Sequence, residues 1–299
     1  MVLFRRLAVL TAAFAYLQIA LGGLVRVSGS GLGCPDWPLC HGKPYPPADA
    51  HSIIEYSHRA VGSVTGVLLI ATVVLAWVIF RQRRPLVAWL ATASLVAITG
   101  EGLLGALVVF KELQAWLVVI HLGLAMIILG LLIATAVMAM KPQQVVIGGR
   151  PRLRWATVGG TYLLLLTGSS VVASGADERC HSWPLCGNGL VPSFAGVDAL
   201  TMLHRGSALV VGLLILHTCA TLLRRSEGPI RLAAWLTIAA LVAQILVGAL
   251  SAVTAAALFD GMHVALASAV FAGILTTALL TLPRADPQTA PRLVAGATA

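Results

Sequence analysis

The chain has 299 residues, 59% of them hydrophobic and only 10% charged, and its formal net charge is +9. This composition, with a mean hydropathy of +0.93, excludes a soluble globular domain and indicates an integral membrane protein. The Lys and Arg residues cluster between apolar stretches instead of forming one patch. The positive charge therefore indicates orientation in a membrane and not nucleic-acid binding.

Eight apolar stretches reach the roughly 20 residues that a helix needs to cross a bilayer. They lie at about 7–27, 54–80, 86–110, 115–139, 155–174, 199–223, 232–254 and 259–282. We therefore predict an all-α integral membrane protein with eight transmembrane helices. No nucleotide-binding loop, serine-hydrolase elbow or zinc-protease motif accompanies them, so the sequence does not support the chemistry of soluble enzymes.

The chain contains two copies of one unit. At a constant offset of 146, Cys34, Trp37, Pro38, Leu39, Cys40, His58 and Arg59 match Cys180, Trp183, Pro184, Leu185, Cys186, His204 and Arg205. We predict two tandem pseudo-symmetric four-helix bundles, at 1–140 and 155–283. The Pro-, Gly- and cation-rich segment 141–154 is predicted to be the linker, and 284–299 a disordered cytoplasmic tail.

Charge differs between the two ends of the predicted bundles. Lys and Arg are frequent at the N-terminus and after the even-numbered spans, whereas the other loops hold only Lys43, Lys111 and Arg179. The positive-inside rule then predicts that both termini are cytoplasmic and that the two cysteine-containing loops are extracytoplasmic, with the protein in the plasma membrane. The first span aligns with the fifth, so we interpret it as a retained helix and not as a signal peptide.

Four of the five cysteines lie in the two loops predicted to face the oxidising compartment. Five residues separate Cys34 from Cys40, and five separate Cys180 from Cys186. We predict a structural disulfide in each loop, with a redox role as the alternative. Cys219 lies within the sixth span and is predicted to be a small apolar filler.

A glycine-centred pattern recurs in the odd-numbered spans. It reads Gln18-x-x-x-Gly22, Glu101-x-x-x-Gly105 and Gln244-x-x-x-Gly248. Small residues allow helix backbones to approach closely, so we interpret the pattern as a helix-packing signal. Glu101 is in addition a candidate functional acid, because a carboxyl group within a membrane span is costly.

Four histidines lie at similar depth near the outer ends of the even-numbered spans: His58, His121, His204 and His263. Two neutral imidazoles facing each other across a bundle are the axial ligands that a haem iron requires. A zinc or copper site is less favoured because it usually takes three or four ligands. His217 lies deeper and has no partner, so we predict one haem site per copy.

The two copies differ in the charged residues near these histidines. Glu55 lies one turn before His58 on the same helix face, and its match in the second copy is Thr201. We therefore expect the acid–base groups, Glu55 and Glu101, to belong to the N-terminal copy, and the C-terminal copy to lack a carboxylate near its histidines. The candidates for contacts with haem propionates are Arg26, Arg59 and Arg205, with snorkelling to lipid headgroups as the alternative.

The motif CPDWPLC followed by E-x-x-H-R, with a second C-x5-C loop followed by His-Arg, resembles the haem A synthase family over nearly the whole chain. The resemblance implies oxidation of the C8 methyl of haem O to a formyl group, through a hydroxymethyl intermediate, for assembly of haem–copper terminal oxidases. It implies a haem b cofactor held by His204 and His263, a haem O substrate held by His58 and His121, and a catalytic acid at Glu55. The sequence departs from the family pattern at Glu101, where Gln is expected, and in the charged segment 177–179.

The expected partners are haem O, the lipid bilayer, haem O synthase as the donor and an external electron acceptor, with a homo-oligomer left open. Two other functions compete with this interpretation. A quinol-linked membrane carrier with two b-type haems would have the same histidine pairs, but it would not need the carboxylates of one copy. A disulfide-generating membrane oxidoreductase would explain the cysteines, although the C-x5-C spacing is not that of an exchange motif.

Overall fold

The computed structural model describes residues 1–140, 151–186, 196 and 198–282. The regular structure in these residues consists of α-helices and one short 3₁₀ turn, with no β-strand among them. The helices are α1 (Val2–Val27), α2 (Ala50–Phe80), α3 (Pro85–Phe110), α4 (Ala115–Met140), α5 (Pro151–Ala173), α6 (Asp198–Arg225), α7 (Gly228–Thr254) and α8 (Ala257–Leu280). All eight are long and apolar enough to cross a membrane, which confirms the predicted all-α membrane fold.

Local capping signals extend several helices beyond the apolar stretches. The Asp49 carboxylate accepts a hydrogen bond from the Ser52 N–H at 2.9 Å, so α2 begins at Ala50 instead of residue 54. That backbone hydrogen bond also lowers the pKa of Asp49. α3 and α5 both open on proline, which suits the first turn because its N–H groups lack partners within the helix.

The predicted linker coincides only partly with described residues. Residues 151–154 form the first turn of α5, so that part of the prediction is corrected, and residues 141–150 lie outside the described part of the chain. The predicted tail at 284–299 also lies outside it. The assignment of 1–140 and 155–283 as separate domains stays a prediction.

The helices pack in two rings of four. α1 contacts α2 and α4, and α3 contacts the same two helices, so α2 and α4 lie diagonally opposite each other. α5 and α7 relate to α6 and α8 in the same way. The rings meet where α1 packs on α8, α4 on α5, and α4 on α8. Buried side chains of α4 and α8, among them Met126, Leu129 and Ile274, form the apolar core between the rings.

Two tyrosines repeat the same bridge between the rings. The Tyr16 hydroxyl of α1 donates to the Ala265 carbonyl of α8 at 3.1 Å, and the Tyr162 hydroxyl of α5 donates to the Gly123 carbonyl of α4 at 3.2 Å. An unpartnered donor is costly within a bilayer, and each bridge satisfies one. Because both bridges recur at matching positions of the duplication, the two halves face each other about a pseudo-two-fold axis.

The alternating helix directions place both cysteine-containing loops at one end of the molecule, which we call the loop end. The C-termini of the odd-numbered helices and the N-termini of the even-numbered helices lie there. Each of the four candidate histidines lies six to eight residues into its helix from that end, or roughly 9–12 Å at 1.5 Å per residue.

Candidate functional site

The two loops are closed by disulfides, as predicted. Cys34 is bonded to Cys40 and Cys180 to Cys186, while Cys219 is free and buried. All four bonded cysteines are buried, with at most 4% exposure. Because an exchange reaction needs an accessible sulfur, this burial favours a structural role.

Arg59 fastens the first loop to α2. Its guanidinium group donates to the backbone carbonyls of Asp36 at 2.6 Å, Leu39 at 2.7 Å and Cys34 at 2.7 Å. The Asp36 carboxylate in turn accepts from the N–H groups of Gly42 and His41, and these bonds lower its pKa. The first loop is thus held both by Arg59 of α2 and by the hydrogen bonds of Asp36 within the loop.

Arg205 makes the equivalent contacts in the second loop. It donates to the carbonyls of Ser182 at 2.7 Å, Pro184 at 3.1 Å and Cys180 at 3.4 Å. Sequence reasoning offered lipid headgroups or propionates for both arginines and missed the loop carbonyls. The signal for them is the repetition of His-Arg at the same distance after each C-x5-C loop.

Arg26 has a different role from the other two arginines. It donates to the Val172 carbonyl at 3.3 Å and so links α1 to α5 between the two halves. The predicted propionate contacts of Arg26, Arg59 and Arg205 stay predictions, and any such contact must use the N–H groups that these bonds leave free.

Glu55 of α2 is buried against the first loop, with 3% exposure. Its carboxylate accepts from the Cys34 N–H at 2.8 Å and from Arg59 at 2.5 Å. At the matching place in the second copy, Thr201 donates to the Ala176 carbonyl at 3.3 Å. A charged contact therefore fastens the first loop, where the second has a neutral one.

The rings of His58 and His204 are held in a defined tautomer. The Nδ1 atom of His58 lies 3.1 Å from the Gln18 carbonyl oxygen, which can only accept, so Nδ1 carries the proton. The Thr167 hydroxyl donates to the Leu164 carbonyl, and its oxygen therefore accepts from Nδ1 of His204 at 3.0 Å. Both rings keep the Nε2 lone pair, which is the form that binds a metal.

The other two histidines contact polar side chains of the preceding helix. Nδ1 of His121 lies 3.1 Å from Oε1 of Glu101, and Nε2 of His263 lies 3.2 Å from Nε2 of Gln244. Nε2 of His58 lies at the same 3.2 Å from Nε2 of Gln18. Gln18, Glu101 and Gln244 are the polar residues of the glycine-centred pattern, so that pattern selected residues that contact the histidines.

Unsatisfied polar atoms concentrate around these histidines. Among the described residues, the buried side-chain nitrogen and oxygen atoms without a hydrogen-bond partner are Gln18 Oε1, Glu101 Oε2, His121 Nδ1, Gln244 Oε1 and His263 Nδ1. His121 Nδ1 belongs to this set because its 3.1 Å contact with Glu101 is close enough for an ion pair but does not form a hydrogen bond. Buried polar atoms in proteins are normally paired, and exceptions mark strain, function or a missing ligand. The places where unpaired atoms collect are therefore suited to receive a polar or metal-containing group.

The histidines are paired within each ring of helices. His121 is within electrostatic range of His58, and His204 within range of His263. Within the described ranges, no group of three or more His, Cys, Asp or Glu residues is placed to hold a metal ion. Each half thus offers two imidazoles on diagonally opposed helices, which matches the axial ligation of a haem iron. His217 is exposed on α6, away from this pair.

The C-terminal half does hold a carboxylate near a histidine, so the expectation that it lacks one was wrong. Asp260 lies one turn before His263 in α8, within electrostatic range of it, and accepts a hydrogen bond from Ser251 of α7. The spacing Asp-x-x-His repeats the Glu55-x-x-His58 spacing of α2. That shared spacing was the signal that sequence reasoning overlooked.

The fold and these sites define a class of protein: a duplicated eight-helix membrane protein with one histidine pair in each half and a disulfide-closed loop over each pair. Residues 5–53 and 49–279 match the COX15-CtaA family, described as cytochrome oxidase assembly protein. The chain belongs to this family.

Relatives in several bacteria have the printed name Heme A synthase. The relative from Bacillus pumilus (strain SAFR-032) is 32% identical to this chain over 225 residues. The matched residues make up 69% of this chain and 71% of the relative. The chain is 31% identical over 262 residues to that of Symbiobacterium thermophilum, with coverages of 82% and 84%. It is 31% identical over 291 residues to that of Staphylococcus haemolyticus (strain JCSC1435), with coverages of 92% and 93%.

Proposed function

We propose that this chain is a haem A synthase that oxidises the C8 methyl group of haem O to a formyl group through a hydroxymethyl intermediate. Membership of the COX15-CtaA family and the names of the relatives support the activity. The observation that carries it to this chain is the pair of histidines in each half, surrounded by buried polar atoms without partners.

His58 and His121 hold the iron of the haem O substrate, and His204 and His263 hold the iron of a haem b cofactor. The assignment is supported by the tautomer of His58 and His204, whose Nε2 atoms are unprotonated and can bind a metal. At His58 the Gln18 amide, which donates to Nε2 at 3.2 Å, must give way to the iron. Haem b, when bound between two imidazoles, supplies one-electron transfer. The division places substrate in the half formed by 1–140 and cofactor in the half formed by 155–283.

Glu55 is the proton acceptor at the substrate site. With water as the oxygen source, conversion of a methyl to a formyl group consumes one water and releases four protons and four electrons, which leave to an external acceptor. A carboxylate one turn from a ligand histidine is placed to take such protons. Arg59 contacts the Glu55 carboxylate at 2.5 Å, and Glu101 beside His121 is the secondary acid.

The protein spans the plasma membrane with both termini in the cytoplasm and the cysteine loops on the extracytoplasmic side. The charge distribution between the loops supports this orientation. Haem O synthase delivers the substrate, and the product serves the assembly of haem–copper oxidases.

Pigment analysis of the purified chain and its histidine variants tests the proposal. Wild type should contain haem O or haem A beside haem B. His204→Ala and His263→Ala should lose haem B, whereas His58→Ala should lose the substrate haem and turnover. His217→Ala, which changes the exposed histidine of α6, is the matched control. Haem B alone at two per chain would instead identify a membrane electron carrier.

A further inference from the structure

Each of the four candidate ligand histidines lies against one glycine of the preceding odd-numbered helix. A Cβ atom built on the glycine would meet the Cε1 atom of the imidazole, which lies between the two ring nitrogens. The distances are 3.1 Å for Gly22 to His58, 3.2 Å for Gly105 to His121, 2.9 Å for Gly168 to His204 and 2.6 Å for Gly248 to His263.

The requirement at these four positions is space and not backbone conformation. All four glycines lie inside helices, and none has a positive φ, so an L-residue fits the backbone. Glycine weakens a helix relative to alanine, which leaves the imidazole contact as the reason for its presence. Three of these glycines, Gly22, Gly105 and Gly248, were predicted to be helix-packing residues, but the group that covers each of them is a histidine ring.

The residue one turn before each glycine completes the support. Gln18, Glu101 and Gln244 contact the histidine that covers the glycine four residues later. At the fourth site that residue is Leu164, and Thr167 supplies the hydrogen bond to His204 instead. This substitution explains why the fourth site escaped the sequence pattern.

We propose that Gly22, Gly105, Gly168 and Gly248 are positioning residues that set the depth and tilt of the four iron-ligating imidazoles. The inference rests on the proposed haem ligation. A haem iron requires its two imidazoles at a fixed separation, and each imidazole lies against the helix backbone that its glycine leaves exposed. A methyl group at the glycine would push the imidazole toward the iron or turn it away.

The two halves differ in how tightly the ring is held. The contacts at Gly168 and Gly248 are below 3.0 Å, so an added methyl forces the ring to move, whereas those at Gly22 and Gly105 require a shift of only a few tenths of an ångström. The tighter contacts are those with the proposed histidine ligands of the resident cofactor. The looser contacts are those with the proposed ligands of the substrate, which must enter and leave.

Alanine substitutions at the glycines, with matched controls in the same helices, test the proposal. Gly159 of α5 and Gly102 of α3 have open space where a Cβ would lie, so Gly159→Ala and Gly102→Ala are the controls for Gly168→Ala and Gly105→Ala. The readouts are the haem-to-protein ratio of the purified chain, the visible spectrum, and the paramagnetic resonance signal of the low-spin ferric haem.

Gly168→Ala and Gly248→Ala should weaken haem B binding by about 10-fold or more, the range for losing support behind a metal ligand, and shift the low-spin signal of what remains. Gly22→Ala and Gly105→Ala should fold, keep substrate haem and shift its signal alone. Controls should match wild type. Unchanged spectra and haem ratios in all four variants would overturn the proposal.

The parallel variant His204→Ala separates this inference from the proposed function. If His204→Ala loses haem B while Gly168→Ala and Gly248→Ala retain it with a wild-type signal, the glycines are not positioning residues and the ligand assignment stands. If His204→Ala also retains an unchanged low-spin haem B, the ligand assignment itself fails. Size-exclusion profiles of the variants identify any that lose haem through unfolding, and for those the shift at Gly22→Ala and Gly105→Ala decides.

Discussion

Replacing Glu55 with Gln tests the carboxylate that joins the first cysteine loop to α2. Glu55 accepts hydrogen bonds from the Cys34 N–H and from Arg59, and its side chain is 5% exposed. Gln keeps one oxygen acceptor but removes the charge, while Arg59 keeps three carbonyl partners. Because a hydrogen bond to a charged group contributes about 1.5–3 kcal/mol, we expect Glu55→Gln to lower the free energy of unfolding by about that amount.

Arg59→Gln removes the same ion pair but leaves the carboxylate. This variant also loses the bonds to three loop carbonyls and leaves a buried negative charge without its partner. Breaking a buried pair in this way costs about 3–5 kcal/mol, so Arg59→Gln should be the less stable of the two. If Glu55 accepts protons, the order of activity is the reverse: Glu55→Gln stalls, whereas Arg59→Gln retains turnover.

The assay combines thermal unfolding in detergent with analysis of the haems that accumulate in cells. Glu55→Gln should bind haem O and accumulate it or its C8 alcohol. Near-normal haem A production by Glu55→Gln would refute the reasoning and transfer the acid–base role to Glu101 or to water. A loss of turnover that follows stability in both variants would show that Glu55 only fastens the loop.

Three further predictions follow from the loops and the helix ends. Thiol labelling of the denatured, unreduced chain should modify only Cys219, and modification of five cysteines would contradict the two disulfides. Asp49→Ala should destabilise the start of α2 at neutral pH. The hydrogen bond from the Ser52 N–H lowers the pKa of the Asp49 carboxyl in the folded protein. The stabilisation of the folded state by this cap is therefore complete above the unfolded pKa of about 3.9 and disappears as the pH falls through the lower folded pKa. A difference from wild type that does not diminish as the pH is lowered below the unfolded value would exclude that cause. An impermeant amine reagent applied to intact cells should label Lys43 in the first loop, and failure to do so in the folded, active protein would contradict the extracytoplasmic orientation.

Hydropathy and the duplication made the eight helices predictable, because a span needs only length and apolar composition. The helix ends were less predictable. α2 begins earlier than its apolar stretch because Asp49 caps it, and α5 begins earlier because Pro151 suits a first turn. Both are local signals in the sequence that hydropathy alone does not reveal.

The histidines were identified correctly as a group at one depth, whereas their surroundings were only partly predictable. The contacts of Arg59 and Arg205 with loop carbonyls depend on how a loop folds back over its helix, which periodicity does not reveal. The alignment of the two copies does not indicate Asp260, because its counterpart in α4 is Val118. The Asp-x-x-His spacing before His263, which matches Glu-x-x-His before His58, does indicate it.

Duplication supplies both halves with the same scaffold, and the differences between them lie in the residues around the histidines. The loop arginine recurs in each half, and a glycine lies against the imidazole of each of the four candidate histidines. The residue one turn before each arginine differs: Glu55 accepts from Arg59 in the first half, whereas Thr201 in the second donates to the Ala176 carbonyl. A charged contact is stronger in a low-dielectric setting but requires its partner to stay ionised, whereas a neutral contact is indifferent to protons. We therefore expect protonation of Glu55 to weaken the attachment of the first loop to α2, whereas the Thr201 contact of the second loop has no such dependence.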